Sequence, residues 1–154
     1  MKAFIVFDVK SIQLPNKILL GNVGELIAEG HTVSLRVYGN SMRPLLEGGR
    51  DKATLAPFDT LNINDIVLAE INTGQYVLHR IIAIDGEYIT LMGDGNIKGT
   101  EVCKETDITA KVISAIRNGK EWKATDKKWK LYTFTWAKLK FARRILLAAY
   151  KRIN

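Results

Sequence analysis

Two periodicities divide the chain. Between Pro15 and Glu29, Leu19, Val23, Leu26 and Ile27 recur at three- and four-residue intervals, which puts them on one face of a helix. Gly30 is placed to end that helix, although Gly21 and Gly24 count against it. At His31 the period changes to two. Val33, Leu35 and Val37 alternate with Thr32, Ser34 and Arg36, the pattern of a half-buried strand over His31–Tyr38. Further strands are expected over Asp51–Ala56, Asp65–Ile71, Gln75–Ile84, Glu87–Met92 and Ile108–Ile116. Asn72-Thr73-Gly74, Asp85-Gly86 and Asn118-Gly119 supply turns between them. Helical spacing returns at Trp129, with Tyr132, Trp136, Leu139, Leu146, Tyr150 and Ile153 following. Lys130, Lys138, Lys140, Arg144 and Lys151 lie largely off this stripe, and Arg143 interrupts it. One basic amphipathic helix is therefore predicted over Trp129–Ile153. The fold class is mainly β, with an N-terminal helix and a C-terminal amphipathic one. Residues 1–118 read as one domain with its core in 32–116, and 119–154 as a tail.

Composition sharpens this picture. The 154 residues suffice for one domain with its own core. The net charge of +7 is unevenly spread: residues 1–119 carry 12 Lys/Arg and 14 Asp/Glu, whereas residues 120–154 carry 11 Lys/Arg against Glu121 and Asp126 alone. The single cysteine, Cys103, excludes an internal disulfide and reads as a structural or surface thiol. With two histidines and no ligand cluster a zinc site is not expected, and no cofactor is implied. The apolar runs are too short to span a bilayer. Met1–Asp8, with an acid in its apolar run and no small-residue cleavage site, does not read as a signal peptide.

The candidate chemistry begins at Gly39-Asn40-Ser41-Met42-Arg43-Pro44, a tight turn delivered by the first strand. Gly39 permits backbone angles that other residues resist, and Pro44 restricts itself and Arg43. A hydroxyl so held can serve as a nucleophile if a base is near. Taken alone, Ser41 is more simply a serine bonding to its own turn. On the Gln75–Ile84 strand, alternation puts His79 with Val77 and Ile81 on a substantially buried face, where a neutral imidazole can accept and return a proton. Taken alone, it too is more simply a histidine satisfied by backbone. Arg80 does not serve as a base. Gly93-Asp94-Gly95-Asn96 forms a turn that could aim Asp94 at the histidine, in the orienting role of a serine triad, or merely cap backbone N–H groups. Glu101 and Asp107 are further acids downstream, readable as solvated surface.

Together these segments resemble the S24/S26 serine peptidases, which include signal peptidase I and the LexA-type self-cleaving repressors. The resemblance rests on Gly39–Asp51, Asn64-Asp65-Ile66-Val67, Val77–Ile82 and Gly93–Asn96, in family order across residues 32–116. It implies coiled antiparallel β sheets, Ser41 as nucleophile and the Ser41 backbone N–H in the oxyanion hole. Most bacterial members have a lysine base where this chain has His79. The match is closer to archaeal and endoplasmic-reticulum signal peptidases, which place histidine before arginine. Asp94 matches their Gly-Asp-Asn segment. A further family aspartate falls near Thr100 and Glu101, so Glu101 is the alternative orienting acid. Gly39 stands where many bacterial signal peptidases have a serine that completes the oxyanion hole, leaving the Asn40 side chain as the candidate second donor.

The expected function is that of a serine endopeptidase cleaving a peptide or leader-bearing precursor through a Ser41–His79 dyad, oriented by Asp94 or Glu101. The alternatives are a non-catalytic peptide-binding module and an adaptor that uses the basic tail on a membrane or nucleic acid. Self-cleavage is disfavoured, since no Ala-Gly or Cys-Gly dipeptide occurs and little chain precedes the match. The expected partner is a peptide or protein substrate; the basic helix over 129–153 reads first as packed on the domain with a solvated basic face and, as the alternative, as contacting an anionic membrane surface peripherally, while nucleic acid is disfavoured. The expected location is the cytoplasm, with that peripheral membrane contact.

Overall fold

A computed structural model describes residues 16–153; the Met1–Asp8 reading lies outside them. Helix α1 (Asn16–Ala28) precedes β1 (Val33–Arg36), β2 (Lys52–Ala56), β3 (Ile66–Asn72), β4 (Gln75–Asp85), β5 (Tyr88–Met92), β6 (Glu101–Lys104), β7 (Ile108–Arg117) and β8 (Lys120–Lys123). Helices α2 (Lys127–Lys138) and α3 (Arg143–Ile153) follow. The architecture is mainly antiparallel β, as the alternating stretches predict. The strands form one sheet in the order β1-β2-β7-β3-β4-β5-β6, and β8 also pairs with β7.

Helix α1 forms despite its glycines because Val23 and Ile27 are buried in the core, and tertiary packing outweighs the propensity cost. Its end is a Schellman cap. Gly30 has φ +89°, the His31 N–H donates to the Leu26 carbonyl, and the Gly30 N–H donates to the Ile27 carbonyl.

Strand β3 separates two apolar clusters. Ile66 and Leu68 face the first, with Leu55, Val112, Trp129 and the buried Met42, Leu45 and Leu46 of the serine loop. Val67 and Ala69 face the second, with Ile81, Ile89, Leu91, Cys103 and Ile108. Burial on both faces explains why Ile66–Ala69 reads as a continuous apolar run rather than an alternation. Cys103 is buried in this second cluster, which makes it structural.

The C-terminal segment packs on the body, the first of the two readings of its stripe: Trp129 is 5% exposed in the first cluster, and β8 extends the sheet from β7, so the core does not end at residue 118. It departs from expectation in that the single helix over Trp129–Ile153 is two helices joined through 139–142. A straight helix of that length would run about 38 Å. The turn instead folds α3 back onto the body, where Leu147 is buried and the Tyr150 hydroxyl donates to Glu47 Oε2 at 3.0 Å. Arg143, which interrupts the stripe in sequence, points inward at 6% exposure. It lies over the Trp136 ring at 5.3 Å and donates to the Trp136 carbonyl at the end of α2. Burial lowers its pKa from the usual arginine value.

Candidate functional site

The serine loop is built by its own sequence. Gly39 adopts φ +77°, as the turn requires. A Cβ on Gly48 would run into the Gly39 backbone, so the two ends of the loop touch only through glycine. Asp51 closes it, wholly buried and accepting from the Arg50 guanidinium at 2.7 and 2.9 Å, the Glu47 N–H at 2.8 Å and the Asn118 N–H at 3.1 Å. Burial alone would raise this carboxyl's pKa, but the Arg50 hydrogen bonds and the two N–H donors outweigh it and hold it below the usual range. Met42, Leu45 and Leu46 anchor the loop in the core while Ser41 stays half-buried and Asn40 exposed. Among the described residues the Ser41 N–H donates to no protein acceptor and its Oγ makes no protein hydrogen bond.

The loop after β5 comes up against this turn. The Gly95 N–H donates to the Ser41 carbonyl at 2.7 Å. A Cβ on Gly95 would lie 2.5 Å from the Asn40 carbonyl oxygen. At Gly93 it would strike the Ser41 carbonyl oxygen and lie 3.1 Å from His79 Nε2. Both positions therefore need glycine for close approach, and the same small gap beside Gly93 is bordered by the serine turn and the histidine ring.

His79 is 4% exposed. Its Nδ1 lies 2.9 Å from Glu101 Oε2, at the start of β6. A carboxylate only accepts, so this contact puts the proton on Nδ1 and leaves the Nε2 lone pair on the Gly93–Ser41 side. Glu101 is thus the acid on the histidine, rather than solvated surface. Register brings it there: Glu101 pairs with Leu91 on β5, and Leu91 with Ile81 on β4, two residues from His79.

Asp94 does something else. The expectation that it orients His79 is corrected, because its carboxylate takes the Arg80 guanidinium side-on, Oδ1 to Nε at 2.7 Å and Oδ2 to NH2 at 2.6 Å. Strand alternation accounts for this: His79 and Arg80 point to opposite faces, and Asp94 lies on the arginine's face. Asp94 Oδ2 also accepts from the Tyr132 hydroxyl at 3.0 Å, and its carbonyl accepts from Trp136 Nε1 at 3.1 Å. Arg80 further donates to the Asn64 carbonyl at 2.9 Å and Thr133 Oγ1 at 3.2 Å. Burial works to lower the Arg80 pKa, yet Asp94 holds it raised. Burial and then the Asp94 charge push the Tyr132 phenol up. Arg80 and Asp94 together fasten α2 to the glycine loop. Asp107 lies apart, accepting from the Lys104 N–H at 2.8 Å in a local cap.

A cleft of about 400 Å³ opens directly on Ser41, between Asn40, Arg43 and Asn96 on one side and Leu147, Tyr150 and Lys151 of α3 on the other. His79 does not line it; its Nε2 borders the same gap beside Gly93 as the Ser41 carbonyl. The contribution of α3 to this wall is absent from the sequence reading. The signal available for it was Tyr150, a polar-tipped residue on the apolar stripe. No family model matches the chain, and no curated protein matches it.

Proposed function

We propose that the chain is a serine endopeptidase resembling the signal peptidases that use a histidine base, with Ser41 as nucleophile, His79 as base and Glu101 as the orienting acid. The observation that carries this reading is the double placement of His79, with Nδ1 on the Glu101 carboxylate and Nε2 beside Gly93 and the Ser41 turn. A peptide extended in the cleft presents its carbonyl to Ser41. Oγ attacks the carbonyl carbon as its proton passes to His79 Nε2. The Ser41 N–H stabilises the resulting oxyanion, and the Asn40 amide is the second donor. Collapse of the tetrahedral species breaks the C–N bond, and the imidazolium returns its proton to the leaving amine. Water then attacks the acyl-serine as one of its protons passes to His79, and the imidazolium gives that proton to the departing Ser41 Oγ as the Oγ–C bond breaks, releasing the acid and restoring the free hydroxyl. Glu101 holds the Nδ1 tautomer and stabilises the imidazolium at each step.

A peptide-binding module without catalysis is the rival reading, favoured by the lack of a hydrogen bond from Ser41 Oγ to the ring, although apo sites are often loose. Turnover separates the two. Incubation with a mixed peptide library, read by mass spectrometry, yields new termini with the wild-type chain and none with Ser41→Ala or His79→Ala at unchanged melting temperature. Equal cleavage by Ser41→Ala, or none by the wild type, overturns the proposal.

A further inference from the structure

The sides of α2 and α3 turned away from the body, and the 139–142 turn between them, are both apolar and cationic. On α2, Trp129, Tyr132, Thr133 and Trp136 face inward, so three/four spacing puts Leu131, Phe134 and Lys138 on the opposite side. Leu131 is 64% exposed and Phe134 62%. In the turn Phe141 is fully exposed, flanked by Lys140, and Ile145 on α3 is 73% exposed. From Lys127 to Ile153 the chain holds nine Lys/Arg and no Asp/Glu. Among the described residues only Lys128 of these forms an ion pair, with Asp126. Bulky apolar side chains set in water beside unpaired cations mark a contact surface.

We infer that the α2–α3 segment seats on an anionic lipid surface, with Leu131, Phe134, Phe141 and Ile145 entering the headgroup boundary and Lys138 and Lys140 meeting lipid phosphates. Charge complementarity selects an anionic partner. The apolar side chains between the cations select a bilayer over nucleic acid, whose phosphate backbone offers them nothing to bury against. No helix among the described residues is long and apolar enough to cross a membrane, so the segment lies on the surface. The inner flank of α3 walls the Ser41 cleft, so seating the segment brings that cleft to the lipid boundary.

Co-sedimentation of the full chain with vesicles tests this, and Ser41→Ala serves equally, because the inference does not rest on catalysis. Vesicles of phosphatidylcholine with phosphatidylglycerol bind the chain at low salt, and pure phosphatidylcholine binds it at least about tenfold more weakly. Lys138→Glu with Lys140→Glu lowers binding to the anionic vesicles by more than about tenfold. Phe141→Ser lowers it several-fold, with circular dichroism and melting temperature unchanged in both variants. Equal binding to the two vesicle types, undiminished binding by both variants, or binding to a DNA duplex but to neither vesicle overturns the inference.

Discussion

Replacing Asp94 and replacing Glu101 have opposite consequences, although either acid could have been the histidine's partner. Asp94 is 1% exposed and Arg80 4%, and among the described residues Asp94 is the only carboxylate in direct contact with the buried guanidinium. Asp94→Ala leaves that guanidinium without its counter-ion and frees the Tyr132 hydroxyl. Breaking one side of such a buried pair costs about 3–5 kcal/mol. For a chain of this size that lowers the melting temperature by about 6–20 °C. Glu101 has a 27% exposed side chain, and its loss leaves no buried charge behind, since His79 can be neutral. Glu101→Gln therefore changes stability by less than about 1 kcal/mol while lowering peptide cleavage about 10²–10⁴-fold, because an amide can no longer stabilise the imidazolium. Urea unfolding followed by tryptophan fluorescence reads the first quantity, since Trp129 and Trp136 are both buried. Cleavage rates at denaturant-free equilibrium read the second. Loss of cleavage in Asp94→Ala with full stability, or loss of stability in Glu101→Gln with full cleavage, would refute this division of labour.

Other outcomes follow from the same contacts. Gly93→Ala drives a methyl group into the Ser41 carbonyl and against His79, so cleavage falls more than the melting temperature does; an unchanged rate would contradict the close approach at Gly93. Asp51 has a depressed carboxyl pKa in the fold, so its stabilisation is full above the ordinary carboxylate range and lost as pH falls through the folded value. Asp51→Asn accordingly flattens the acid limb of a stability–pH curve, measured by urea midpoints from pH 7 down to about pH 3. Burial raises the Cys103 thiol's pKa, so iodoacetamide at pH 8 modifies it only after unfolding, and mass spectrometry of the native chain finds it unmodified.

Strand positions were legible because strand patterning is a local property: β1, β2 and β5 lie within the expected stretches and β3, β4 and β7 overrun theirs by one residue, β3 showing as an apolar run rather than an alternation. Strand β6 was not, since Glu101–Lys104 is short and its pairing to β5 depends on where the loop after Met92 returns. The turn that holds Ser41 and the strand that holds His79 were legible in the sequence, whereas which acid meets the histidine was not. Asp94 and Glu101 are both near in sequence, and only the side of the sheet decides between them; alternation between His79 and Arg80 held that information once Asp94 was known to share the arginine's face. The break at 139–142 carries no glycine or proline, so nothing local announces it. It exists because Tyr132 and Trp136 bond to Asp94 while Tyr150 bonds to Glu47, contacts to two different loops. A domain boundary at residue 118 fails for a related reason, since Trp129 completes the core from beyond it.

The most direct measurement is the site of a covalent adduct. The full chain is incubated with peptidyl phosphonates bearing small side chains, then digested and mapped by mass spectrometry. One adduct on Ser41 is expected, absent in Ser41→Ala and strongly slowed in His79→Ala. No adduct in the wild-type chain, or labelling at Ser41 that proceeds equally without His79, would contradict Ser41 as a nucleophile activated by His79.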